Sequence, residues 1–196
     1  CDINQNKRTM KYFFNYMLMA VAFAVVLPSC KARKSVYLFT SFREPADSGL
    51  RMLYSRDAYH WTDFNRIFLK PEAGDAKIMR DPSIAQGKDG IYRLVWTTGW
   101  KDDKGIGYAS SPDLLHWSVQ QHLNVMGYEP TAVNAWAPEL FYDDDNDRFI
   151  IVWASTVHHR FPRGQDNENN NPRLYYIITR DFKSFTPTRL FLDPGF

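Results

Sequence analysis

Two short segments gather residue types that can move a proton on a polar substrate. The first is Met79-Arg80-Asp81-Pro82-Ser83-Ile84, where a carboxylate sits beside a guanidinium and ahead of a proline that fixes the backbone. The second is Asn134-Ala135-Trp136-Ala137-Pro138-Glu139-Leu140, which sets an indole and a second carboxylate around another proline. Trp100 ends an apolar run beside the polar loop Lys101-Asp102-Asp103-Lys104-Gly105, where an exposed indole can stack on a flat ligand face. Two other clusters are weaker. Asp143, Asp145 and Asp147 alternate as in a calcium loop, but Arg148 stands where that loop needs glycine and Ala154 where it needs glutamate. His158-His159 has no third ligand in sight, so no metal site is expected.

The elements that must hold these residues follow from a phrase that occurs three times. Ser55-Arg56-Asp57 precedes Trp61, Ser111-Pro112-Asp113 precedes Trp117, and Thr179-Arg180-Asp181 precedes Phe185. Upstream of each lies a strand that is alternating or wholly apolar, as a sheet covered on both faces requires. These are Val36-Tyr37-Leu38-Phe39, Ile91-Tyr92-Arg93-Leu94-Val95-Trp96 and Phe149-Ile150-Ile151-Val152-Trp153. Ahead of the second and third comes a further short strand and a tight turn, through Lys88-Asp89-Gly90 and through Asp143-Asp144-Asp145-Asn146-Asp147. One unit is therefore four strands, and repeated four-stranded units suggest an all-β propeller. The aspartates of the phrase read as turn formers, and Trp61, Trp117 and Phe185 as blade core. The first unit lacks an inner strand of its own, and the chain stops just after an outer one. About half a propeller is expected. Propellers set the starts of their inner strands around a central funnel, which is where Asp81, Trp136 and Glu139 would converge.

Residues 1–34 read as a separate targeting region and 35–196 as the partial propeller domain. Lys7, Arg8 and Lys11 precede an apolar run from Met17 to Leu27, shorter than a membrane span and ending in Leu27-Pro28-Ser29-Cys30. That ending resembles a lipobox, with Cys30 as the lipidation site. Met10 is the expected start, with the residues before it upstream read-through. An exported bacterial lipoprotein, periplasmic or on the cell surface, is expected, touching the membrane through its N-terminal lipid alone. The formal charge of +2 says nothing about nucleic acid, but no Lys/Arg stripe interleaves with aromatics, so no nucleic-acid partner is expected.

Four segments in order, Arg80-Asp81-Pro82-Ser83-Ile84, Thr97-Thr98-Gly99-Trp100, Trp136-Ala137-Pro138-Glu139-Leu140 and Trp153-Ala154-Ser155-Thr156, resemble the first half of a glycoside hydrolase family 43 five-bladed propeller. The resemblance spans about Val36 to Phe196. It implies hydrolysis, with inversion, of arabinose- or xylose-containing plant polysaccharides or oligosaccharides by three carboxylates. Asp81 matches the general base. Glu139 stands where a second aspartate often tunes the pKa and orientation of the acid; it is read as that tuning group, as a contact to a sugar hydroxyl, or as a structural residue. Arg80, Trp100, Asn134 and Trp136 are expected to contact substrate. The general acid is expected beyond Phe196, so the chain alone is expected to be inactive. An inverting enzyme holds base and acid about 6.5–9.5 Å apart, with a water between. No cofactor is implied, although the central channel of the full-length protein leaves room for a structural metal ion. Two alternatives compete. A fructan hydrolase of the related five-bladed families needs an upstream Asp-Pro-Asn motif, absent between Val36 and Lys77. A noncatalytic carbohydrate-binding propeller would lack the inner-strand glutamate in its later blades.

Overall fold

The computed structural model describes residues 36–161 and 172–193. The segment with Cys30, the loop from Gly164 to Asn171 and the last three residues lie outside the described residues. Three antiparallel sheets follow one another along the chain, and no α-helix occurs among the described residues. The first contains β1 (Tyr37–Ser41), β2 (Arg51–Ser55) and β3 (Trp61–Asp63), in that order. The second is β4 (Arg80–Gln86), β5 (Tyr92–Thr97), β6 (Ile106–Ser111) and β7 (Gln121–Leu123). The third is β8 (Trp136–Asp143), β9 (Arg148–Ser155), β10 (Arg173–Thr179) and β11 (Arg189–Leu192). Each is a simple meander, as short hairpin loops dictate. The first strand of each four-stranded sheet lies at one edge, and these edges face each other: β8 packs on β4 and β5, and β4 on β1. The all-β, partial-propeller expectation is met.

The core shows why β5 reads as a continuous apolar run. Leu94 and Trp96 point to one face and join Leu50, Met52, Met79 and Ala109 between the first and second sheets. Val95 points to the other, joining Ile106, Tyr108, Phe149, Ile151 and Trp153 between the second and third. Alternation along a strand with both faces covered produces this pattern. Gly107, opposite Trp96 on β6, leaves space for the indole: a Cβ there would meet Trp96 Cε2 at 2.0 Å.

The repeated phrase is a turn that hydrogen-bonds to itself. Asp57 Oδ1 accepts the amides of Tyr59 and His60 at 2.9 and 2.8 Å, Asp113 those of Leu115 and His116, and Asp181 those of Lys183 and Ser184. The residue after each aspartate is left-handed, with φ of 65° at Ala58, 66° at Leu114 and 55° at Phe182. These amide bonds and the facing His60 hold Asp57, and the facing His116 and its amide bonds hold Asp113, well below the usual carboxylate range; amide bonds and the Ser184 hydroxyl bring Asp181 to about 2. One expectation needs correction. Trp117 and Phe185 are partly buried against the core, but Trp61 is 39% exposed. Its ring meets the exposed Phe39 edge-on at 5.7 Å, on a face of the first sheet that no other described sheet covers. The fully buried ring in the third turn is Phe182, stacked 4.3 Å from Tyr108.

Candidate active site

Asp81 sits at the start of β4 in a backbone conformation that few residues adopt. Its φ is +48°, and the next residue is Pro82. The ladder registers Arg80 with Thr97 and Ser83 with Val95, so one extra residue bulges out at this point. A bulge re-aims a side chain, and aspartate tolerates the left-handed region better than most residues do. The carboxylate is exposed and lines a cavity of about 590 Å³. The third sheet repeats the device. Trp136 registers with Ala154 and Glu139 with Val152, and Ala137, again before a proline, has φ of +46°. Register thus makes Ala137 the counterpart of Asp81, and Glu139 the counterpart of Ser83. Both carboxylates line the same cavity, as the sequence suggested, but from different positions of one repeated bulge.

Hydroxyl groups lock these strand entrances together. Thr97, buried at the end of β5, donates from Oγ1 to Asp81 Oδ2 at 3.3 Å and accepts the Ala137 amide at 2.8 Å. Ser83 donates from Oγ to Glu139 Oε2 at 2.9 Å and accepts the Leu140 amide at 3.0 Å. On the other side, Thr40 of β1 donates to the Pro82 carbonyl at 2.5 Å. A chain of side chains therefore runs from the first sheet to the third and fixes both carboxylates on its way. Neither Thr97 nor Ser83 was assigned a role from sequence, though both lie inside the quoted motifs.

The remaining predicted residues divide. Arg80 is braced in place: its guanidinium pairs with Glu44 at 2.8 Å and lies 4.3 Å from the Trp100 ring and 5.5 Å from Phe42. Trp100 is 54% exposed and stacks on Trp136 at 5.3 Å, while Trp136 Nε1 donates to the Trp100 carbonyl. The two indoles form one aromatic ledge, but neither lines the cavity of Asp81 and Glu139, where the sequence predicts Trp136; Trp100 lines a separate one. Asn134, expected to touch substrate, does not reach the cavity. It is 4% exposed, its Oδ1 accepts the Thr156 amide at 2.9 Å and its carbonyl accepts Ser155 Oγ. A buried carboxamide spent on backbone groups ties two loops together.

Tandem antiparallel sheets, with carboxylates at the bulged entrances of adjacent inner strands, define a partial β-propeller. The chain belongs to the family related to glycoside hydrolase family 43 that is described as a probable glycosyl hydrolase domain, whose model matches residues 33–196. It is 27% identical over 139 residues to the alpha-L-arabinofuranosidase of Bifidobacterium longum subsp. longum, across 60% of this chain and 13% of that protein. The chain therefore spans only 13% of the length of that relative. Among solved structures, an exo-beta-1,3-galactanase from Phanerochaete chrysosporium has a TM-score of 0.57 at 15% identity, with 82% of this chain and 37% of that chain covered. An alpha-L-arabinanase from Penicillium chrysogenum has a TM-score of 0.51 at 15% identity, with 83% and 48% covered. An N-acetylgalactosamine deacetylase from F. plautii reaches 0.57 at 16% identity, with 84% and 51% covered. At such identities these structures speak for the fold alone.

Proposed function

We propose that the chain carries the water-activating side of an inverting glycosidase site acting on arabinose- or xylose-containing plant polysaccharides or their oligosaccharides. The observation that carries this reading is the exposed Asp81 carboxylate, on a left-handed residue (φ +48°) before Pro82, bonded by the Thr97 hydroxyl and opening into a cavity shared with Glu139. Asp81 takes the proton of a water attacking the anomeric carbon. Glu139, steadied by Ser83, shapes the field in which a general acid works. The Trp100–Trp136 ledge offers the apolar face on which a sugar ring stacks. Only these two carboxylates line the cavity among the described residues, and the reaction also needs an acid about 6.5–9.5 Å from the base. The basic and apolar run before Cys30 supports export and a lipid anchor at that residue. Asp81→Asn in the full-length protein should lower kcat about 10²–10⁴-fold, the usual range for a general base, with sugar affinity kept. Unchanged turnover on arabino- and xylo-oligosaccharides would refute the assignment.

A further inference from the structure

Beyond Trp100, away from the Asp81 cavity, lies a larger cavity of about 890 Å³, within the size range of small-ligand sites. Its floor is a fixed pair of groups. Asp103 accepts His122 Nε2–H at 2.7 Å and the Gly105 amide at 3.0 Å on one oxygen, and the Thr98 hydroxyl at 2.7 Å on the other. Glycines make this packing feasible. A Cβ at Gly99 would meet Asp103 Cβ at 2.5 Å, and one at Gly105 would meet His122 Cε1 at 2.3 Å. Burial alone would push the Asp103 carboxyl up, but its hydrogen bonds outweigh that and hold it below the usual range. The bond to Asp103 raises the His122 pKa against the effect of burial, and Asp75 nearby adds to the rise. With Nε2 committed, Nδ1 has no partner among the described residues and remains available to a ligand.

The charges around the cavity identify what it takes. The rim carries the carboxylates of Glu72, Asp75 and Asp102 and the ammonium groups of Lys77 and Lys101, the Lys104 ammonium donates to the Glu129 and Pro130 carbonyls, and the floor pairs Asp103 with His122. Such a lining gives no net field to draw in an anion or a cation, yet is dense in groups that donate to and accept from hydroxyls. One wall is the exposed Trp100, whose ring also contacts Trp136 and the Arg80 guanidinium. An aromatic wall with charge-balanced polar groups suits the amphipathic surface of a neutral sugar. We propose that this cavity is an accessory subsite for a neutral sugar unit of a chain whose reacting end lies at Asp81, with Asp75 and His122 gripping its hydroxyls. The inference rests on the glycosidase reading above, and it assigns the second cavity a role that reading does not require.

The test is calorimetric titration of the full-length protein, made inert by Asp81→Asn, with neutral arabino-, xylo- and galacto-hexasaccharides. The matching disaccharides and an oligogalacturonate hexamer serve as controls. Asp75→Ala, on an exposed loop, should weaken binding of the preferred hexasaccharide about 5- to 10-fold, and His122→Gln by at least as much. A hexasaccharide affinity unmoved by Asp75→Ala, with disaccharide binding intact, overturns the subsite and leaves the Asp81 reading standing. Preference for the anionic hexamer also overturns the subsite. Failure of every neutral disaccharide and hexasaccharide to bind overturns both readings together.

Discussion

Replacing Thr97 by valine should disable the candidate site while leaving its shape in place. Thr97 is 1% exposed, and its one hydroxyl serves two strand entrances, accepting the Ala137 amide at 2.8 Å and donating to Asp81 at 3.3 Å. Valine fills the same volume and does neither. An unmet buried donor costs about 1–3 kcal/mol, and the amide bond here is part-buried, which places the loss at about 1–2 kcal/mol. At about 2–4 °C per kcal/mol for a domain of this size, the melting temperature should fall by about 2–8 °C. The Asp81 bond is long, so its loss frees the carboxylate rather than unfolding the strand. A barrier increase near 1.4 kcal/mol, about tenfold in kcat, is the expected result. Thr97→Ser keeps the hydroxyl and loses one methyl, worth about 0.8 kcal/mol, and should retain most of the rate. Thermal unfolding and steady-state hydrolysis of the two variants of the full-length protein decide the matter. Equal melting temperatures and equal kcat for valine and serine would refute the bridging role of the hydroxyl.

Gly107→Ala should destabilise the fold by about 1–3 kcal/mol or more in chemical denaturation, because the added Cβ falls 2.0 Å from the fully buried Trp96 ring. Ala137→Gly should leave the melting temperature unchanged or slightly raised, since a left-handed alanine costs about 1–2 kcal/mol and glycine returns about 0.4–1 kcal/mol of that through its freer unfolded chain. The Asp103–His122 pair predicts a pH signature. The raised His122 pKa contributes stability that is complete below about pH 6.5 and lost as pH rises through the folded value. The lowered Asp103 pKa contributes stability present above about pH 3.9 and lost as pH falls. The melting-temperature gap between the wild type and Asp103→Asn should therefore be wider near pH 5 than near pH 9, and a gap constant across that span would contradict the pairing.

What the sequence discloses here is what its own neighbours determine. The turn phrase is legible because Ser55 and Asp57 bond to amides two and three residues on, so composition and geometry share one short window. The strands β5 and β9 are legible because a sheet covered on both faces favours apolar runs, whereas Val36 to Phe39, read the same way, is exposed. The position of Asp81 is legible because an aspartate before proline marks the end of a turn, and it stands at the start of β4. Groups that act between blades are not. Thr97 meets a partner 40 residues away and Ser83 one 57 away, and no local pattern marks a hydroxyl for such a task. Arg80 was expected to contact substrate, but the loop after β1 brings Glu44 and Phe42 to its guanidinium. Asn134 resembled a sugar contact by adjacency to Trp136, yet its carboxamide is taken by Thr156, 22 residues on.

The repetition of the bulge separates scaffold from chemistry. Arg80 to Ser83 and Trp136 to Glu139 share the proline, the left-handed residue and the shift of register, although their side chains differ at every position but the proline. A strained turn kept with an aspartate at one entrance and an alanine at the other is not there for the carboxylate's sake. Its common effect is to present backbone groups to hydroxyls of the preceding sheet: the amides of Ala137 to Thr97 and of Leu140 to Ser83 at one entrance, and the carbonyl of Pro82 to Thr40 at the other. The bulge is thus a docking device between blades, and the carboxylates occupy its two cavity-facing positions, the left-handed residue in one sheet and the residue two further on in the other. That displacement sets Glu139 against Ser83 rather than beside Thr97, so the two acids are held by separate hydroxyls and can be mutated, and their contributions measured, independently.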